Sequence, residues 1–123
     1  MDMKLQFLDF DYSEDEHGLG CWDALASPAP AHGAALLAEV AELLSALRAQ
    51  HGAPGPVDEG HGWDCDLQAQ AGSNGPLHLD WHGSPVRWMP AYSAAENQRI
   101  TLSLSLTGNA AFAHDLNLWT DTE

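Results

Sequence analysis

Basic residues are what this 123-residue sequence has least of: four Lys and Arg stand against 18 Asp and Glu, for a formal net charge of −14. Average composition would supply roughly three times as many bases, so missing cations contribute as much to the imbalance as added anions. A field of that sign repels phosphates and anionic lipid headgroups, which argues against nucleic acid and membrane surfaces as partners. It attracts a basic protein surface or a divalent cation, and solubility alone is the plain alternative.

Cysteine is nearly absent too. Cys21 and Cys65 lie too far apart in sequence for a metal-binding or redox pair, and a reducing compartment would keep both as thiols. No apolar run approaches the roughly 20 residues a membrane-spanning helix needs. Met1 to Phe10 has neither the basic start nor the uninterrupted apolar stretch of a signal peptide, so a cytoplasmic location is expected. There is no Gly-x-Ser-x-Gly elbow, phosphate-binding loop, dinucleotide fingerprint or His-Glu-x-x-His pattern, and catalysis is therefore not the leading expectation.

What is present suffices for a core. The apolar share is 45% with five Trp, and the length fits a single α+β domain spanning residues 1–123. The clearest patterning lies between Gly62 and His82. Trp63, Cys65, Leu67 and Ala69 alternate with Asp64, Asp66, Gln68 and Gln70. After a turn over Gly72 to Pro76, Leu77, Leu79 and Trp81 alternate with His78, Asp80 and His82. Period-two alternation marks a β-hairpin buried on one face, with Trp63, Cys65, Leu67, Leu79 and Trp81 as core.

Elsewhere, Met3 to Tyr12 reads as a strand whose apolar phase slips by one residue, through a bulge or through cover on the opposite face in its second half. Cys21 to Ala26 reads as a returning strand or a short helical turn. Leu36, Leu37, Val40, Leu43, Leu44 and Leu47 predict a helix from Pro30 or Ala31 to Gln50, ended by Gly52 and the prolines after it. Val86 to Met89 reads as a proline-bracketed edge strand or as part of a long loop. Ile100, Leu102, Leu104 and Leu106 predict the cleanest strand, Arg99 to Thr107. Asn109 then caps a last helix with Phe112, Leu116 and Trp119 on one stripe. The order β-β-α-β-β-β-α implies an α+β two-layer sandwich: a mainly antiparallel sheet of four to five strands with both helices on one face.

Two sets of residues could carry function. With helices on one face, the other face of the hairpin gathers Asp64, Asp66, His78, Asp80 and His82. One register sets Asp66 against Asp80 and Asp64 against His82, and a slip of two sets Asp66 against His82, but any even register leaves all five on one surface. His78 and His82 around Asp80 offer nitrogen and oxygen ligands to zinc, manganese or a similar divalent metal. The second set is Arg87, Trp88, Met89 and Tyr92, residue types enriched at interface centres, unless Trp88 or Met89 folds back to close the core.

The run Asp9 to Asp15, followed by Trp22 to Ser27, resembles short bacterial proteins of unknown function from alanine-rich, high-GC genomes. The resemblance spans roughly the first quarter of the chain and implies no functional residue. The leading expectation is a non-catalytic acidic module that binds or regulates a protein partner with a basic surface, with a homodimer as a further expectation. The alternatives are a metal-binding protein or metal-dependent hydrolase using the hairpin face, and an acidic mimic of nucleic acid. The last wants helically spaced surface carboxylates, whereas the acids here are scattered.

Overall fold

The structure, a computed structural model, describes residues 6–16, 18–55, 60–72, 76–80, 86–89 and 99–120, with the backbone alone for Arg87, Met89, Asp115 and residues 117–120. Among the described residues six strands form one antiparallel sheet. In chain order they are β1 (Asp11–Glu14), β2 (Gly20–Ala26), β3 (Trp63–Ala71), β4 (Pro76–Asp80), β5 (Arg87–Met89) and β6 (Ile100–Gly108). Helix α1 (Gly33–His51) follows β2 through a single 3-10 turn at Pro30–His32, and α2 (Ala110–Thr120) follows β6. The fold is thus α+β with an antiparallel sheet and two helices, as expected. Cys21–Ala26 takes the strand alternative, and Arg87–Met89 forms an edge strand that brings the number to six.

The last strand in sequence is central in space. The sheet order is β1-β2-β6-β3-β4-β5, with β6 paired along its whole length to β3 and over seven residues to β2. Strict alternation explains its suitability: Ile100, Leu102, Leu104 and Leu106 are buried, and the intervening Thr and Ser are not. Against them pack Leu36, Leu37, Val40, Leu43, Leu44 and Leu47 of α1. Each such side chain contributes about 1.5–3 kcal/mol relative to exposure. The helix ends at Gly52, whose φ of +83° suits a residue without Cβ, and Arg48 and His51 place basic side chains in its last turn.

The expected strand from Met3 to Tyr12 is corrected over residues 6–10, while Met3 to Leu5 lie outside the described residues. β1 begins only at Asp11, and residues 6–10 form no strand. Their backbone donors go instead to one carboxylate on α1: Gln6 N–H donates to Glu39 Oε1 at 2.5 Å, and Phe7 and Leu8 N–H donate to Glu39 Oε2 at 3.0 and 2.9 Å. Glu39 thus takes the place of a neighbouring strand, while Leu8 enters the core. The other edge is held in a similar way. Val86 N–H donates to Ser45 Oγ at 3.0 Å, and the Trp88 indole N–H donates to the Leu37 carbonyl at 2.8 Å, which fastens β5 to α1.

One end of the sandwich is closed by aromatic rings laid over glycine. Gly20, Gly108 and Trp63 are cross-strand neighbours on β2, β6 and β3. The Phe112 ring of α2 sits over Gly108, stacked on Trp63 at 5.5 Å and 10° and meeting Trp22 edge-on at 5.5 Å and 72°. Asn109 caps α2 as expected, its Oδ1 accepting from Phe112 N–H at 3.0 Å. The Trp63 indole N–H donates to the Gly52 carbonyl at 2.9 Å, joining the end of α1 to the start of β3.

Candidate functional site

The leucines and Val40 of α1 and Phe112 and Leu116 of α2 are buried on the same side of the sheet, with the Trp119 side chain outside the described residues, so the opposite side is left to the polar residues of the alternation. The register arranges these in rows. Asp23, Ser105 and Asp66 are neighbours across β2, β6 and β3, with Asp11 of β1 beside Asp23. The next row towards the end of β2 is Leu25, Ser103 and Gln68. Asp11, Asp23, Asp66 and Gln68 are exposed, and Leu25 is 79% exposed although it is the only large aliphatic side chain on β2. Beside it lies a shallow depression of ≈ 370 Å³ bordered by Leu25, Gln68, Gln70, Pro76, His78 and Ser103. None of the strands β1, β2, β3, β4 or β6 contains a Lys or Arg.

The acids on this face are ordered by neighbours. Ser105 Oγ donates to Asp23 Oδ1 at 2.6 Å, and Asp64 Oδ1 accepts from the N–H of Cys65 at 2.8 Å. Arg99, at the margin beside Thr101, turns its Nη1 to the carbonyls of Ser27 and Pro28 at 2.7 and 3.0 Å. Its charge is therefore directed at backbone rather than at the carboxylates.

Of the hairpin set, Asp64 and Asp66 lie on the open face of β3, and His78 is exposed on β4. The β3–β4 pairing matches Ala69 with Leu77 and Gln70 with Pro76, on the same diagonal as Asp66 with Asp80. Asp80 is half-buried and registers with Arg87 of β5. His82 lies outside the described residues, and among the described residues no three His, Cys, Asp or Glu side chains come together in a way that could hold a metal ion. Of the expected core of the hairpin, Trp63 is fully buried, and Cys65, Leu67 and Leu79 are partly buried against the core. Trp81 lies outside the described residues.

Of the second set, Trp88 is half-buried against the core with its indole N–H bound to α1. Arg87 and Met89 are placed in β5 by backbone alone, and Tyr92 lies outside the described residues. The residues that reading the sequence missed are Asp23, Leu25, Ser103 and Ser105. Their signal was the alternation of buried Trp22 and Ala24 with outward Asp23 and Leu25, which only gains meaning once β2 is a strand beside β6.

The two thiols are free and face opposite ways. Cys21 is on the open side beside Thr107, whereas Cys65 is opposite Leu106 on the core side. Burial, followed by the charges of Asp64 and Asp66, pushes the Cys65 thiol up to about 12. At pH 8 only about 1 in 10,000 of Cys65 is thiolate, the reactive form, so iodoacetamide is expected to spare it in the native state. The same shift has a stability sign: a neutral Cys65 favours the folded state fully below about pH 9, and that contribution disappears as pH rises towards 12. The loss of stability across that window is expected to be smaller in Cys65→Ala, by up to about 4 kcal/mol, as measured by urea denaturation at stepped pH.

The comparisons add no family. No protein-family model, no curated protein and no solved structure matches this chain. Among the described residues no helix is long and apolar enough to cross a membrane.

Proposed function

We propose that this protein is a non-catalytic acidic binding module whose open sheet face engages a protein partner through a basic surface. The observation that carries this reading is the composition of that face: Leu25 stands 79% exposed beside a depression, among Asp11, Asp23 and Asp66 and without a base on the surrounding strands. Solubility accounts for net charge of this sign, but it gives no use to a leucine held outward next to a recess. The carboxylates steer a basic partner and raise its association rate. Exposed ion pairs contribute only about 0.2–1 kcal/mol each, so burial of Leu25 has to supply much of the affinity.

The test compares partner capture from extract of the native cell by the wild type, by Asp23→Lys/Asp66→Lys, and by Glu42→Lys on the outer side of α1. A partner retained by the wild type and by Glu42→Lys at 0.15 M salt, but lost from the double variant with its melting temperature unchanged, is the expected result. Retention by all three, or by none, overturns the reading.

A further inference from the structure

Resting on that reading, we infer that the element received by the open face is a basic amphipathic α-helix laid across the strands. The face is the interior of a sheet, not its edge. β6 is hydrogen-bonded to β3 from Ile100 to Gly108 on one side and to β2 from Leu102 to Gly108 on the other, so both sides are paired along the rows of Asp23, Leu25, Asp66 and Gln68. Its backbone donors and acceptors are therefore already used, and a partner cannot join there by adding a strand. It has to meet the face with side chains, as helices do when they form a layer on a sheet.

The spacing of the charges fits that geometry. Asp23 and Asp66 flank Ser105 on adjacent strands, which separates them by two strand spacings, about 10 Å. Two residues seven apart on a helix are separated by about 10.5 Å along its axis and lie on one side. Lys or Arg at i and i+7 thus reaches Asp23 and Asp66 in turn, and a further base reaches Asp11 one strand beyond. The row of Leu25, Ser103 and Gln68 lies about 7 Å along the strands, on the side to which an apolar residue at i+4, about 40° round the helix from the basic line, turns toward Leu25 and the depression of ≈ 370 Å³. Ser103 and Ser105 at the centre are small and uncharged, so a helix can approach closely without stranding a buried charge. A second copy of this chain is the wrong occupant for such a face, because it would bring the same acids against it.

The probe is an 18-residue Leu–Lys peptide of helical period, compared with a peptide of the same composition and period two, each titrated into the full-length ¹⁵N-labelled protein. The helical peptide is expected to bind at least tenfold more tightly, with amide shifts centred on Asp23, Leu25, Asp66, Gln68 and Ser103. Asp23→Asn/Asp66→Asn and, separately, Leu25→Asp are expected to weaken it at least tenfold while the rest of the spectrum stays native. Equal affinity for the two peptides, shifts centred on β1 or β5, or affinity unchanged in both variants overturns the inference. If the captured partner still depends on Asp23 and Asp66 while the helical peptide fails, the helix alone is refuted and the binding face stands. If that dependence is lost as well, the reading beneath it falls.

Discussion

Alanine in place of Gly108 is expected to destabilise the protein by about 3 kcal/mol, the upper part of the range for overpacking a core. A Cβ on Gly108 would overlap Cδ2 and Cγ of the Phe112 ring, which is fully buried, stacked on Trp63 and edge-on to Trp22. Gly108 is not among the glycines of positive φ, so backbone conformation adds nothing to the cost and the effect is purely one of volume. That makes it separable. Phe112→Ala alone should cost about 3–5 kcal/mol through the cavity it leaves, and in that background Gly108→Ala should cost under about 1 kcal/mol, because the new methyl enters vacated space. A double-mutant cycle by urea denaturation should then show a coupling of about 2 kcal/mol. An undiminished cost in the Phe112→Ala background would place the requirement for glycine in the backbone.

Trp63 should show the other large effect. Trp63→Ala removes a fully buried indole stacked on Phe112 and is expected to cost about 3–5 kcal/mol. Trp63→Phe keeps a ring against Phe112 but withdraws the N–H that the Gly52 carbonyl accepts, for a smaller cost of about 1–3 kcal/mol. The two variants should differ in where they loosen the fold. Gly55 N–H donates to the Trp63 carbonyl at 3.1 Å, so Trp63→Phe should raise amide exchange at Gly55 by opening the junction of α1 and β3, whereas exchange in the middle of β6 should stay near wild type. Equal acceleration throughout would mean that the indole hydrogen bond has no local role.

The elements easiest to read in the sequence were those whose pattern is local and one-sided. The leucines of α1 and the alternation of Ile100 to Leu106 each specify a face without reference to the rest of the chain, and both faces are buried. Strand order is a different kind of information. Nothing in a period of two says that β6 inserts between β2 and β3, and that insertion is what brings Asp23 and Asp66 to either side of Ser105. The open face was therefore legible only as far as a hairpin reaches, as Asp64, Asp66 and His78, while its other half on β2 was not. The N-terminal segment was misread for a related reason. The alternation through Phe7 predicts a strand, but in the described part the backbone N–H groups of Gln6, Phe7 and Leu8 are met by Glu39 from more than thirty residues away, and a side chain supplying acceptors leaves no periodic trace.

The acidic edge of the sheet bears on how copies of this protein meet one another. Among the described residues β1 is paired only with β2, and all four of its residues are exposed. Its outer row of backbone groups is the kind of template on which sheets extend from molecule to molecule. Two β1 strands brought together antiparallel about their centre would set Asp11 of each against Glu14 of the other, with Asp15 and Glu16 close behind. Like charges directly opposed disfavour such pairing, so the scarcity of cations also works against sheet extension from this edge. The effect is electrostatic rather than steric, and it weakens in about 1 M salt, where charges are screened within roughly 3 Å.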